Sequence, residues 1–314
     1  MYDLIIIGSG PAGLSAAIYG KRAGLDVLVL EKNPMSGGQV LNTYEVDNYL
    51  GMPMMNGFEM GMKFRQHADD TGVTFENVQV TGLAEKNGYK IVAAKDGDTD
   101  KSYEAKAVIL ATGASHALLN VPGEEQLAGK GVSYCATCDG AFYKDRAVAV
   151  VGGGDVAVED AVFLSRLCKK VILIHRRDSL RAAKSLQARL FQCANVEMVW
   201  DSVVEEICGQ EQVESVRVRN LKENSTKVIN VEGIFIAVGI HPNTELFRNI
   251  VPCDDSGYCL AGEDCATQTD GIFAAGDVRT KALRQIITAV ADGANAVASV
   301  EKYLMAQDIK EENQ

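Results

Sequence analysis

The chain has 314 residues, of which 47% are hydrophobic and 23% charged, and its formal net charge is −11. This length suits two ordinary domains, and the composition is that of a globular protein. The negative charge argues against nucleic acid or an anionic membrane as a partner, and no apolar run is long enough to span a bilayer. The eight cysteines come without a recognisable export signal. We therefore expect a cytoplasmic, reducing environment in which most of them are thiols.

The N-terminus has the pattern of a dinucleotide-binding unit. The apolar run Leu4-Ile5-Ile6-Ile7 is typical of a strand inside a parallel sheet. The glycines of the next turn let the backbone approach a pyrophosphate, which then lies on a helix N-terminus. A second strand ends at Glu31, where a carboxylate can bind a ribose hydroxyl. The predicted turn residues are Gly8, Ser9, Gly10, Pro11, Ala12 and Gly13.

Three later segments extend this unit. Alternating strands between residues 73 and 104, with turns at Asn87-Gly88 and Asp96-Gly97, predict a β-meander. Two buried strands end in the motifs Ala111-Thr112-Gly113 and Gly276-Asp277. These motifs resemble those of the flavoprotein disulfide reductases with two dinucleotide-binding domains, in which the aspartate holds the ribityl chain of FAD. The resemblance therefore implies that the first site binds FAD.

A CxxC pair, Cys135 and Cys138, stands between this first turn and a second glycine-rich turn, and Asp139 follows at once. Such a short disulfide loop stabilises a fold by only about 2 kcal/mol, against about 4.7 for a loop of roughly 100 residues, so a redox role is the better explanation. A zinc site would need a second pair of ligands. The other six cysteines are singletons in the sequence, so we expect no metal and interpret them as buried small hydrophobes or inert thiols.

A second strand, turn and helix follow the dithiol. An apolar run over residues 147–151 leads into the turn, and the next strand, Val171 to Ile174, ends in basic residues instead of an acid. Arginines at this place suit the 2′-phosphate of NADPH, which a carboxylate would repel. The alternative is a solvated basic patch. The residues predicted to bind NADPH are Gly153, Gly154, Asp155, Val156, Ala157, His175, Arg176, Arg177, Arg181, Ala237, Val238 and Gly239.

The segment Gly131 to Gly140 resembles the active-site segment of the low-molecular-weight bacterial thioredoxin reductases, and the resemblance covers essentially the whole chain. It implies electron transfer from NADPH through FAD to the dithiol, and from there to thioredoxin disulfide. Cys138 would face the flavin, Cys135 would attack the partner's disulfide, and Asp139 would protonate the leaving thiolate. Spacing alone leaves open that Asp139 is a helix N-terminal carboxylate. The further FAD residues implied are Lys32, Gly38, Gln39, Asn48, Val80, Arg284, Gln285 and Ile286.

The order of the motifs predicts the architecture. We expect an α/β fold with two Rossmann-like dinucleotide-binding domains of the three-layer ββα type. Residues 1–115 and 244–314 would form a discontinuous FAD domain, and residues 116–243 an inserted NADPH domain that carries the CxxC. Two connections then join the domains and permit their rotation. A helix is expected from Ala282 to Tyr303, with a frayed end over residues 307–314, and the resemblance implies a homodimer.

Three other functions remain open. A reductase of the same fold could serve a peroxiredoxin system, although such proteins normally carry an N-terminal thioredoxin-like extension and this sequence starts at the first strand. A ferredoxin- or flavin-fed reductase would lose the second glycine turn and its arginines. A non-catalytic flavin redox sensor would turn over slowly with any disulfide. Phe142 and Tyr143 are either part of a partner surface or core aromatics.

Overall fold

The computed structural model describes residues 1–43 and 46–312. Strands and helices alternate at the start of the chain, and antiparallel strands follow. These elements are β1 (Tyr2–Ile7), α1 (Pro11–Arg22), β2 (Val27–Glu31), α2 (Gly57–Asp70), β3 (Thr74–Asn77), β4 (Gln79–Lys86), β5 (Tyr89–Asp96) and β6 (Thr99–Leu110). A short 3-10 helix, Gly38–Asn42, precedes α2.

The middle of the chain repeats the alternation, and the C-terminus adds one strand and a long helix. The middle elements are β7 (Ala114–His116), β8 (Val132–Ser133), α3 (Ala136–Asp139), β9 (Ala147–Gly152), α4 (Asp155–Leu164), β10 (Lys170–Ile174), α5 (Lys184–Leu190), β11 (Val196–Val199), β12 (Ser202–Cys208), β13 (Ser215–Asn220), β14 (Thr226–Asn230), β15 (Gly233–Ala237) and β16 (Ile240–Pro242). The last two are β17 (Ile272–Ala274) and α6 (Ile286–Glu312).

One sheet joins strands from both ends of the chain. Its order β3-β2-β1-β6 is parallel, and β17 pairs in parallel with the end of β6. The first half of β6 pairs antiparallel with β5, and β5 with β4, which confirms the predicted meander. However, β3 belongs to the parallel part of the sheet, since it pairs with β2. The apolar strands are buried because α1 and α6 cover one face and the meander covers the other.

The middle of the chain forms a second three-layer unit. Its parallel sheet has the order β11-β10-β9-β15-β8. One face packs on α4 and α5, and the other on the antiparallel sheet β12-β13-β14. The predicted α/β class with two Rossmann-like sheets is therefore confirmed. The domain limits stay a prediction, because they also assign a cofactor to each unit.

The two connections between the units are bonded to each other. β7 and β16 pair antiparallel. Next to them, Thr112 Oγ1 donates to the Asn243 carbonyl at 2.7 Å, and Asn243 Nδ2 donates to the Thr112 carbonyl at 2.8 Å. The chain therefore crosses between the units through a two-stranded ribbon.

Both expected ends of the last helix are wrong. α6 begins at Ile286 instead of Ala282. Gln285 caps this start, because its N–H donates to Thr288 Oγ1 at 3.1 Å and its carbonyl accepts the N–H of Ala289 at 3.0 Å. The helix also continues to Glu312 instead of ending at Tyr303. Alanine, glutamine, lysine and glutamate in this stretch are good helix formers even without packing. Residues 313 and 314 lie outside the described part of the chain.

Candidate active site

Hydrogen bonds and close contacts within the protein fix the conformation of the first glycine turn. Gly8 has a φ of +105°, and a Cβ there would lie 2.4 Å from the Ala111 carbonyl oxygen. Ser9 is fully buried, and its backbone N–H and Oγ both donate to Glu31 Oε2, at 2.9 and 2.8 Å. Glu31 Oε1 accepts the N–H of Asn33 at 2.9 Å. The carboxylate at the end of β2 is therefore fixed beside the turn by the protein itself.

Other residues predicted to bind FAD gather around this turn. Gly38 lies against Gly10, since a Cβ on Gly38 would lie 3.3 Å from the Gly10 Cα. Asn48 Nδ2 donates to Gln285 Oε1 at 2.9 Å, which ties the loop before α2 to the residue before α6. Parallel pairing brings the ends of β1, β6 and β17 together, and with them the turns that follow. Of the remaining predicted residues, Val80 is buried in β4, while Lys32 and Gln39 are exposed.

Asp277 lies next to a buried ionic cluster. Asp292 on α6 accepts Arg279 Nη2 at 2.7 Å, Lys281 Nζ at 2.9 Å and the backbone N–H of Gly276 at 2.9 Å. Because these partners lie on both sides of Asp277, the cluster fixes the backbone around that carboxylate. Burial raises the pKa of Asp277, opposed first by the charge of Lys281.

The second glycine turn packs on a buried histidine. A Cβ at Gly153 would lie 2.1 Å from the His175 ring, so only glycine allows this contact. The His175 side chain is buried, and burial lowers its pKa. The N–H of Arg181 donates to the Gly153 carbonyl at 2.8 Å, which folds the loop of residues 176–181 over the turn.

The arginines of this second site are open to solvent. Arg176, Arg177 and Arg181 are all exposed. The acid within the same loop, Asp178, is engaged by Lys222 Nζ at 3.1 Å. Ala237 pairs with Gly152 across β15 and β9, which brings residues 237–239 beside the turn. Of the other predicted residues here, Asp155 and Val156 are exposed, Ala157 is buried, and Gly154 is the N-cap of α4.

The two cysteines of the CxxC form a disulfide at the start of α3. Cys135 and Cys138 are joined, with their Cα atoms 5.3 Å apart. Ser133 Oγ donates to Asp139 Oδ2 at 2.6 Å and accepts the N–H of Cys135 at 3.1 Å. Asp139 makes no N-cap hydrogen bond for α3, whose N-cap is Cys135. Burial raises the pKa of Asp139, and the bond from Ser133 opposes this shift.

The dithiol lies against the unit that carries the first turn. Gln285 Nε2 donates to Thr137 Oγ1 at 3.4 Å, and Thr137 is between the two cysteines. The same Gln285 side chain binds Asn48, as described above. Tyr143 stacks edge-on against Phe235 with ring centroids 5.3 Å apart, so it is a core aromatic. Of Phe142 and Tyr143, Phe142 is therefore the remaining candidate for a partner surface.

Buried polar atoms without a hydrogen-bond partner occur, among the described residues, at the predicted sites. They are Asp139 Oδ1, His175 Nε2, Asp277 Oδ1 and Arg284 Nε. Leaving a buried polar group unpaired costs about 1–3 kcal/mol, so such groups normally have a partner. Ligands that bring hydroxyls and phosphates to the two turns would supply partners to His175, Asp277 and Arg284. The residues present therefore fit two dinucleotides.

Sequence reasoning missed Ser133, Asn243 and Asp292. Ser133 holds the carboxylate beside the dithiol, Asn243 bonds the two connections, and Asp292 fixes the backbone around Asp277. Their partners are distant in sequence or depend on how the connections meet, so no local motif marks them. Within the described ranges no helix is both long and apolar enough to cross a membrane. Across those same ranges, no cluster of three His, Cys, Asp or Glu side chains could hold a metal ion.

Comparison with known proteins defines the class. The family model for pyridine nucleotide-disulphide oxidoreductases matches residues 2–293, and the chain belongs to this family. A thioredoxin reductase of Listeria monocytogenes is 44% identical over 99% of this chain and 96% of its own length. The crystal structure of thioredoxin reductase from Streptococcus pyogenes superposes with a TM-score of 0.92 at 45% identity, covering 98% of this chain and 99% of that one.

A second solved structure is similar in sequence but superposes less well. Lactococcus lactis thioredoxin reductase in its FR conformation is 41% identical, and the match covers 98% of this chain and 100% of that one. Its TM-score is only 0.67. At nearly equal identity, the two relatives therefore superpose on this chain to very different extents.

Proposed function

We propose that this protein is an NADPH-dependent thioredoxin-disulfide reductase that uses FAD. The observation that carries the proposal is the contact between Thr137 and Gln285, which sets the Cys135–Cys138 disulfide against the unit of the first turn. A disulfide between a fixed dinucleotide site and an exposed one is suited to pass electrons outward. The thioredoxin reductases among its relatives, at 42–44% identity, support thioredoxin as the acceptor.

FAD belongs to the discontinuous unit, residues 1–115 and 244–314. Glu31 would bind the adenosine ribose, and the helix N-terminus after Gly10 would face the pyrophosphate. Asp277 would bind the ribityl chain through its unpaired Oδ1. When bound, FAD accepts the hydride of NADPH and passes the electron pair on. The protein's part is to hold the cofactor in place, which the contacts of Ser9 and Asp292 allow.

NADPH belongs to the inserted unit, residues 116–243. Arg176, Arg177 and Arg181 are exposed at the end of β10, where they would form charge-assisted bonds with the 2′-phosphate. His175 would offer its unpaired Nε2 to the bound nucleotide. Since the three arginines are open to solvent, the coenzyme can exchange at each turnover.

The dithiol carries out the exchange with the protein substrate. In the reduced state, the Cys135 thiolate attacks one sulfur of the thioredoxin disulfide, and the other sulfur leaves as a thiolate. Asp139 gives that thiolate its proton. Burial raises the pKa of Asp139, which keeps the acid protonated to higher pH than an exposed aspartate. Cys138 then attacks Cys135 in the mixed disulfide, which releases the second thioredoxin thiol and restores the disulfide of the enzyme.

The two units must change their relative orientation during turnover. In the present arrangement Thr137 contacts Gln285, so the dithiol occupies the face of the FAD unit. NADPH and the partner disulfide both need access that this arrangement denies them. We propose rotation about the ribbon of β7 and β16, and the different TM-scores of the two solved relatives support a second arrangement. We also propose a homodimer located in the cytoplasm.

The test is steady-state NADPH oxidation by the purified yellow protein, with one FAD per chain, in the presence of thioredoxin disulfide. We expect rapid turnover with thioredoxin and slow turnover with a small disulfide such as cystine. Reduced ferredoxin supplied in place of NADPH, or a peroxiredoxin supplied in place of thioredoxin, should give no comparable rate. A colourless, folded protein that takes up no FAD would overturn the proposal. So would a yellow protein that reduces none of the thioredoxins tried.

A further inference from the structure

A second pair of cysteines lies in a small hairpin of the discontinuous unit. Cys253 and Cys259 are antiparallel bridge partners. Backbone hydrogen bonds of 2.9 Å flank them on both sides and join residue 254 to 258 and residue 260 to 252. The cysteines are therefore a non-hydrogen-bonded pair, in which the Cα atoms are closest and the side chains share one face of the hairpin.

This geometry fits a disulfide. In non-hydrogen-bonded antiparallel pairs the Cα atoms are about 4.5 Å apart. That separation is at the short end of the roughly 4.4–6.8 Å that disulfides span. The register therefore brings Cys253 and Cys259 within the range that a disulfide can span. The other free cysteines have no such partner in the register of the described strands and bridges.

The two thiols differ in access. Cys259 is fully buried, whereas Cys253 is half-buried. Burial, and after it the neighbouring Cys253 thiol, raises the pKa of Cys259 to about 12. Cys259 therefore stays a protonated thiol at neutral pH. A reagent from solvent reaches Cys253 first, and Cys259 is next to it as the second partner.

We propose that Cys253 and Cys259 form a second redox site, separate from Cys135–Cys138, that closes to a disulfide when the protein meets a hydroperoxide. With hydrogen peroxide, the Cys253 sulfur is oxidised to a sulfenic acid and one water is released. The Cys259 sulfur then attacks the sulfenic sulfur, and its proton leaves with the hydroxyl as a second water. Two thiols and one hydrogen peroxide give one disulfide and two waters.

Formation of the Cys253–Cys259 disulfide would link the outer strand of the hairpin to the segment after Asp277. The N–H of Cys259 donates to the Val278 carbonyl at 3.0 Å, and the N–H of Thr280 donates to the Cys259 carbonyl at 2.9 Å. Cys259 is thus already bonded to this segment, whereas Cys253 lies on the outer strand. The disulfide links the two covalently next to the candidate FAD site. It also keeps the Cys253 sulfur from irreversible oxidation to sulfinic acid.

The test uses full-length protein carrying Cys135→Ser and Cys138→Ser, so that the first dithiol contributes no signal. The protein is reduced, freed of reductant and titrated with hydrogen peroxide. It is then unfolded, alkylated and mapped by mass spectrometry. We expect Cys253 and Cys259 to lose alkylation together, with a linked peptide lighter by two hydrogen atoms. Cys208, which is half-buried and lies opposite Ser215 instead of a cysteine, is the internal control and should remain alkylated.

Single variants in the same background separate the steps. With Cys259→Ser, Cys253 should stop at a sulfenic acid that dimedone traps, and then proceed to sulfinic acid. With Cys253→Ser, Cys259 should remain fully alkylatable after peroxide. The proposal is overturned if Cys253 and Cys259 stay reduced at peroxide concentrations that oxidise Cys208, or if Cys253 pairs with a different cysteine.

Hydrogen exchange tests the link to the segment after Asp277. In the disulfide form the amides of Cys259 and Thr280 should exchange more slowly than in the dithiol form, while amides of β12 should not change. Equal exchange in the two forms would contradict the fastening of this segment.

Discussion

The two glycine turns have the same plan but different surroundings. At the first, the carboxylate of Glu31 is already bound by Ser9 and Asn33. At the second, the basic residues Arg176 and Arg177 are exposed to solvent. The first site is therefore organised by the protein before any ligand arrives, whereas the second keeps its charged groups free. This difference suits a resident cofactor at one turn and an exchanging coenzyme at the other.

The backbone near each site shows the same contrast. Around Asp277 the chain is fixed from two sides by a buried cluster centred on Asp292. The loop of residues 176–181 is folded over the second turn mainly by the backbone bond between Arg181 and Gly153. A preorganised site has a smaller ordering cost when its ligand binds. The contrast therefore predicts tight binding of FAD and weaker binding of NADPH.

The largest expected effect is at the dithiol, which we propose to act after FAD. Cys135→Ser and Cys138→Ser should each abolish thioredoxin reduction, because the exchange needs both sulfurs. Hydride transfer from NADPH to the flavin should be retained, since the dithiol acts later. Stopped-flow bleaching of the flavin absorbance measures this step. Loss of flavin reduction with unchanged NADPH affinity would show that the proposed order of electron transfer is wrong.

The open site should discriminate between coenzymes. Replacing Arg176 and Arg177 by glutamine would remove the proposed charge-assisted bonds to the 2′-phosphate, worth about 1.5–3 kcal/mol, so KM for NADPH should rise roughly tenfold to a hundredfold. KM for NADH should change little, because NADH lacks the 2′-phosphate. Arg189→Gln, which alters an exposed arginine of the same unit on α5, is the control and should leave both constants unchanged. Equal effects on both coenzymes would refute this role of the arginines.

Substitutions in the connection between the two units should have a more moderate effect on stability and turnover. Asn243→Ala removes the bond to the Thr112 carbonyl and the acceptor of the Ser115 hydroxyl. We expect a loss of about 1–3 kcal/mol in stability, and turnover lowered several-fold because the ribbon is less well defined. Ser115→Ala removes only the second of these bonds and should have the smaller effect on both. Thermal unfolding and steady-state rates measure these changes, and a larger effect from Ser115→Ala would contradict the role of Asn243.

The smallest expected effect is a shift in the pH dependence of the dithiol exchange. In the proposed role of acid, Asp139 must be protonated, so the rate of the dithiol exchange should fall as pH rises through its pKa. Burial raises that pKa and the Ser133 hydroxyl opposes the shift. Ser133→Ala should therefore raise the pKa further and move the falling limb to higher pH. Ser165→Ala, a hydroxyl bonded to the Val162 carbonyl away from the dithiol, is the control. A limb that moves to lower pH would contradict this assignment.

Much of the fold could be predicted from the sequence because local pattern determines it. The apolar strands ending at Gly8 and Gly152 fit only the inside of a parallel sheet, and their glycines stand where larger residues would collide. The start of α6 could not be predicted, because Gln285, whose N–H donates to Thr288 Oγ1 there, is not a usual N-cap residue. Its end lies beyond the predicted Tyr303, because most of the residues that follow are good helix formers although they are polar.

The candidate site was predictable where motifs are contiguous and not where contacts join remote segments. The CxxC and the arginine cluster are contiguous in sequence. Ser133 and Asn243 act through partners that only the folded chain brings near. The cysteines after residue 250 were interpreted as singletons, yet the hairpin makes Cys253 and Cys259 neighbours. Spacing along the chain does not show which residues face each other across a bridge.

The central claim is that one chain holds two redox groups in series, both supplied by NADPH. Anaerobic titration of the oxidised holoenzyme with NADPH, followed by flavin absorbance, tests this most directly. Complete bleaching of the wild-type protein should need two equivalents of NADPH per FAD, because the Cys135–Cys138 disulfide takes up one electron pair and the flavin the other. The variant with both cysteines changed to serine should need one equivalent. The same end point in both proteins would contradict the account.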